Sequence, residues 1–178
     1  MSAITAKVAE LRRVFDEARA APFSSGAAEL TEDLLAIRVS RDAYAVKASE
    51  ISGLATDRKI VPLPSPIPEL LGVAGIRGAL VPVYSLAMLL GYNADTERTR
   101  WLALCGSEDP VALAFSEFDG YVRIPVTQLY AAEQKDVART HVQQVVRATD
   151  MVRAVVSIPL IRETIQRRCG NDGVSKER

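Results

Sequence analysis

The sequence predicts an all-β protein whose sustained helices lie at its two ends. Three observations carry this. Apolar residues alternate with period two at 33–39 and 44–46, and apolar runs recur at 101–104 and 111–115, each pair split by a short polar turn. Residues 60–91, between the two pairs, hold five prolines and four glycines, a density no long helix tolerates. Apolar spacing of three and four residues is sustained only at 2–20 and 160–168.

The chain opens on an amphipathic stretch in which Ile4, Val8, Leu11, Phe15 and Ala18 share one face. Ser2 is a good N-cap, and Pro22 with Ser24, Ser25 and Gly26 ends the helix. Residues 1–32 are therefore a helix and linker, which either packs on its own domain or docks on a partner. Leu35, Ile37 and Val39 then alternate with Ala36, Arg38 and Ser40, as in a half-buried strand. Ser40-Arg41-Asp42 is a turn, and Tyr44 and Val46 start the return strand. Glu50 falls at the end of a short helix or strand, and 53–59 is polar and turn-like.

The prolines at 62, 64, 66 and 68 make an extended surface connection, because proline fixes φ and removes a backbone donor. Glu69-Leu70-Leu71-Gly72 predicts a helical turn stopped by glycine. Gly75-Ile76-Arg77-Gly78 between two apolar runs is a hairpin signal. Its glycines can take positive φ, leaving the Arg77 guanidinium free to meet another surface. Ser85 caps a short helix over 86–90 that Gly91 ends. Residues 92–100 are polar after Tyr92 and form the best internal boundary.

Past that boundary come the second hairpin and a polar surface loop over 127–140. Val142, Val145 and Val146 form a short β piece, and 152–158 a strand. Pro159 suits the first turn of a terminal helix over 160–168, with Leu160, Ile161, Thr164 and Ile165 inward. Residues 169–178 read as a disordered polar tail.

Composition narrows the function. The 178 residues carry 22 basic and 22 acidic side chains, which argues against a polyanionic partner such as nucleic acid. No apolar run approaches the ~20 residues of a membrane span, and charges throughout the first twenty residues argue against a signal peptide. Cys105 and Cys169 are too few and too far apart for a disulfide framework or a metal site, so they read as reduced thiols of a cytoplasmic protein. No phosphate-binding glycine loop or serine-nucleophile motif occurs, and no cofactor is expected. The single histidine, His141, reads as an exposed bystander. Asp33, Asp42, Asp57, Asp109 and Asp119 fall at expected turns. The chain lacks the constellation an enzyme needs.

One long stretch does carry a specific pattern. Pro62, Leu63, Pro64, Leu71, Gly72, Val73, Ile76, Arg77, Gly78, Val81, Pro82, Val83 and Leu86 follow, without a gap, the order and spacing of the CheW family of chemotaxis coupling proteins. Tyr44-Ala45-Val46 and Glu50-Ile51 are similar to the family's opening strands. Two positions depart from the pattern: Gly75 stands where asparagine is usual, and Ser85 where aspartate is usual. The chain resembles that family over 33–168.

The resemblance implies two closely packed five-stranded SH3-like barrels with short helices, divided here at about 33–95 and 96–168. It implies a non-enzymatic scaffold that links a chemoreceptor's cytoplasmic tip to the regulatory domain of a CheA-type histidine kinase. The partner contacts it points to are Arg77, Ile76, Glu50, Ala48, Gly75, Gly78, Val81 and Val83, with a Glu50–Arg77 pair orienting the arginine. The small Ala48 and the glycine at 75 leave open a divergent relative that binds only receptor or only kinase. A barrel that binds a small ligand or nucleic acid is the alternative of a different class.

Overall fold

The computed structural model describes residues 30–93, 99–132, 141–148 and 151–172. The expected N-terminal helix lies outside them, as do the last six residues of the expected tail.

β1 (Thr31–Val39) and β2 (Asp42–Lys47) form the first hairpin. Its two turn residues, Ser40 and Arg41, both have positive φ (48° and 71°), the backbone twist that two-residue hairpins favour. A 3₁₀ turn, Ala48–Glu50, leads to β3 (Gly53–Thr56) and β4 (Ile60–Val61). After the proline connection come β5 (Leu70–Ile76) and β6 (Ala79–Ser85), then α1 (Leu86–Leu89). β7 (Trp101–Cys105) and β8 (Val111–Phe115) make the expected second hairpin. β9 (Glu117–Pro125), β10 (Leu129–Ala131), β11 (Val142–Ala148) and β12 (Met151–Val156) precede α2 (Ile158–Asp172).

These strands make two six-stranded sheets. One runs β10-β11-β12-β2-β1-β9 and the other β3-β7-β8-β6-β5-β4. Each sheet draws on strands from both sides of residue 95. The joins are parallel pairings, β12 on β2 and β6 on β8. The expected five-stranded closed barrels are thus corrected to open six-stranded sheets. The second sheet ends at β4, a two-residue edge strand that runs straight into Pro62, which has no N–H to extend the pairing.

Several elements differ from the sequence reading. Residues 53–56 form edge strand β3 because Gly53 to Thr56 pair with Leu104 to Trp101 of β7. Leu70 to Gly72 belong to a strand, with a bulge between Leu70 and Gly72, and not to a helical turn. Residues 117–125 are a full strand paired with β1, and 129–131 form β10 inside the expected loop. α2 runs four residues past Arg168 into the expected tail, because its last turns are held: Arg168 pairs with the buried Glu69, and the Cys169 thiol lies 3.6 Å from the Tyr84 hydroxyl.

Three apolar clusters hold the fold. Ala74, Ile76, Val81, Val83, Leu102 and Leu104 form one cluster on the second sheet, and Leu34, Ala45, Ile124, Val146 and Val155 another on the first. Tyr44, Leu86, Leu113, Phe115, Ile158 and Ile161 form the shared core between the sheets and α2. β7 and β8 contribute to both neighbouring clusters, which is why their sequences are continuous apolar runs. Each fully buried aliphatic such as Ile161 contributes about 1.5–3 kcal/mol relative to exposure. Arg153 ties four strands together. Its guanidinium donates to the Ile37 and Tyr44 carbonyls at 2.9 and 3.3 Å and pairs with Asp119 at 2.6 Å. Asp119 and Asp33 therefore lie within strands and pair with arginines, where the sequence reading put turns.

Candidate functional site

The β5–β6 connection is a two-residue turn, Arg77-Gly78, closed by the pairing of Ile76 with Ala79. Both turn residues have positive φ, 50° at Arg77 and 83° at Gly78. Glycine takes that conformation freely, whereas arginine rarely does. The turn presents Arg77 in solvent, and the arginine makes no ion pair among the described residues. Its guanidinium folds over Gly53: a Cβ added there would lie 2.9 Å from Nη2.

The expected Glu50–Arg77 pair does not form. Glu50 instead accepts the Ile158 N–H at 2.8 Å and so caps α2. Burial raises its carboxyl above the usual range, and the Ile158 hydrogen bond opposes that rise. The first turn of α2 offers unsatisfied N–H groups that hold a carboxylate better than a solvated arginine does. Ala48, on the same 3₁₀ turn, is half-buried against the shared core. Ile76, Val81 and Val83 are buried beneath the turn and support it, while Gly75, Arg77 and Gly78 are exposed.

An apolar row next to the turn was not singled out from the sequence. Val61, Val73 and Pro82 stand side by side across β4, β5 and β6, and Gly75 lies opposite Leu80. Leu80 is 77% exposed, Val61 and Leu63 are exposed, and Val73 and Pro82 are half-buried. The signal was present in Leu80-Val81-Pro82-Val83, where both phases of the alternation are apolar and only one can enter the core. Gly75 has open space where a side chain would stand, which bares the flank of Leu80. The first sheet exposes apolar side chains of its own at Tyr121, Tyr130 and Val152, with the Arg147 guanidinium 5.7 Å from the centre of the Tyr130 ring.

A cavity of about 470 Å³ opens beside the start of α2, lined by Ser49, Glu50, Ile158, Pro159, Arg162, Glu163 and Gln166. Its polar groups include no cluster of three metal-ligating side chains, nor does any other place among the described residues. His141, expected to be exposed, is buried at 5% and lies 3.0 Å from the Thr164 hydroxyl of α2. Burial lowers its pKa. The Cys105 thiol is pushed up to about 12 by burial, which leaves it inert, whereas Cys169 is exposed. Among the described residues no helix is long and apolar enough to cross a membrane.

The sequence model of the CheW-like domain matches residues 33–164. The chain belongs to the CheW-like family. Its fold is similar to the crystal structure of the scaffolding protein TtCheW from Thermoanaerobacter tengcongensis, with a TM-score of 0.66 and 12% identity. That similarity covers 74% of this chain and 92% of the other. No curated protein matches the sequence.

Within this CheW-like domain the two departures from the family pattern have different consequences. Ser85 accepts the Met88 N–H at 3.3 Å and caps α1. Serine and aspartate are both good N-caps, so this exchange preserves the local structure. Gly75 removes an amide side chain from the surface beside Arg77 and leaves bare backbone there. The Glu50 carboxylate is committed to α2 and so is not the partner of Arg77.

Proposed function

We propose that this CheW-like chain is a non-enzymatic scaffold. It couples the cytoplasmic tip of a chemoreceptor to the regulatory domain of a CheA-type histidine kinase, and it works at the cytoplasmic face of receptor arrays. The observation that carries this reading is an arginine that makes no ion pair among the described residues, held on a two-residue turn beside an exposed row made by Val61, Leu63 and Leu80. Apolar side chains of that kind supply affinity, and a charge at their border sets register and rejects wrong partners. The exposed Tyr121, Tyr130 and Val152 lie on the other sheet, so a second partner has a separate place to bind. Membership of the CheW-like family and the likeness of the fold to the scaffolding protein TtCheW support the same reading.

A second reading follows from the site's own departures. With Glu50 capping a helix and no side chain at Gly75, one of the two partner contacts is reduced, and the chain serves as a specialised relative that holds one partner. One experiment separates the two. The full chain and a chain starting at Thr31 are titrated with the kinase regulatory domain and with a receptor cytoplasmic fragment from the same genome. Binding to both partners by both chains supports the coupling scaffold. Binding to one partner, or only with the first thirty residues present, supports the specialised relative. Binding to neither sinks the scaffold reading.

A further inference from the structure

We infer that Gly53 is the positioning residue for Arg77: the space it leaves seats the guanidinium and fixes the direction in which that cation meets a partner. The inference rests on reading Arg77 as a partner contact and specifies how that contact is held.

A Cβ placed on Gly53 would lie 2.9 Å from Arg77 Nη2 and 3.7 Å from its Cζ, so the head of the arginine occupies the space over the glycine. The backbone of Gly53 does not require a glycine, because it is absent from the positive-φ residues. Gly53 is the first residue of β3, and a glycine in a strand often marks a place where another group approaches closely. Here that group is the guanidinium. β3 is also the edge strand of its sheet, so the seat lies on an open rim. The positive φ at Arg77 fixes where its side chain leaves the turn, and Gly53 fixes where it ends. No ion pair to Arg77 forms among the described residues, so packing alone orders the cation and leaves its donors for a carboxylate on the partner. A long side chain ordered before binding loses less freedom on binding.

The test is Gly53→Ala in the full chain. The methyl meets the far end of a flexible side chain, so the arginine swings away while the sheet stays intact. The melting temperature is expected to hold. The Nε–Hε NMR signal of Arg77, assigned by its loss in Arg77→Ala, is expected to shift. The Kd for whichever fragment Arg77→Ala weakens, kinase regulatory domain or receptor tip, is expected to rise about fivefold to tenfold. Gly53→Ala combined with Arg77→Ala should bind no worse than Arg77→Ala alone, because both changes act through one group. An unshifted Arg77 signal, an unchanged Kd where Arg77→Ala raises it, or additive losses in the double variant would overturn the seat. If Arg77→Ala changes neither affinity but Gly53→Ala still shifts the signal, the seat stands and the scaffold reading of Arg77 falls.

Discussion

Glu50 Oε2 accepts the Ile158 N–H across 2.8 Å, so the 3₁₀ turn after β2 supplies the N-cap of the last helix, 108 residues later. Removing it as Glu50→Ala should cost about 1 kcal/mol, the usual size of a lost N-cap. In a domain of this length that lowers the melting temperature by about 2–4 °C. Calorimetry on Glu50→Ala and Glu50→Gln checks this, with the amide expected to recover part of the loss. An unchanged melting temperature in Glu50→Ala would show that the cap adds nothing.

Gly72 and Gly78 should respond very differently to alanine. At Gly72 φ is +139° and a Cβ would lie 2.0 Å from the Val61 carbonyl oxygen, which is backbone and cannot step aside. Gly72→Ala should therefore separate β4 from β5 and cost several kcal/mol, in the range of severe overpacking and strain. Gly78 has open space around it and only the left-handed backbone to satisfy, so Gly78→Ala should cost about 1–2 kcal/mol. Urea unfolding of both variants gives the comparison, and equal losses would contradict it.

Binding and stability should come apart at the surface. Arg77→Ala removes an exposed side chain that makes no ion pair among the described residues, and should leave the melting temperature within about 1 °C of the native value, as for an ordinary surface change. Leu80→Asp places a charge on the apolar row and should do the same. Either variant should weaken the kinase domain or the receptor tip about tenfold or more, the loss typical of an interface anchor. Isothermal titration against each fragment reads this directly. A large fall in stability with Arg77→Ala would make it a structural arginine.

The pH response should have two windows. Burial lowers the folded pKa of His141, so the native state favours the neutral ring. The stability this ring contributes is present above its ordinary pKa of about 6.5 and is lost as pH falls below it. Asp33 lies lower: the Arg123 guanidinium, 2.7 Å away, holds its carboxyl at about 2. Its contribution persists above its ordinary 3.8 and is lost only as pH falls toward 2. Melting temperatures from pH 7.5 to 5.5 should therefore decline in the native chain and decline less in His141→Gln. Equal slopes would remove His141 from the first window.

The hairpins were legible because their turns and strands are local. Ser40-Arg41 and Arg77-Gly78 sit between alternating apolar residues, and chain geometry leaves few other solutions. Ser85 and Gly91 marked α1 for the same reason. What was misread depends on distant partners. Gly53 to Thr56 look like a turn until β7 lies beside them, and β9 shows polar residues because its outward face is exposed. His141 looks exposed among polar neighbours in sequence, yet α2 covers it. The surface arginine of the site was readable from its turn. Its company was not: the carboxylate assigned to it lies on a helix cap, and the glycine that seats it belongs to a strand the sequence concealed.

The sequence by itself determined the β class, the proline connection, the capped short helix and the turn that carries Arg77, because each is set by φ restrictions and side-chain period over a few residues. Only the tertiary structure decided which strands share a sheet, that the sheets stay open, and where Glu50 and Arg77 point. Those outcomes turn on backbone donors meeting acceptors and apolar faces meeting each other between segments far apart in the chain, and no local pattern encodes such pairings.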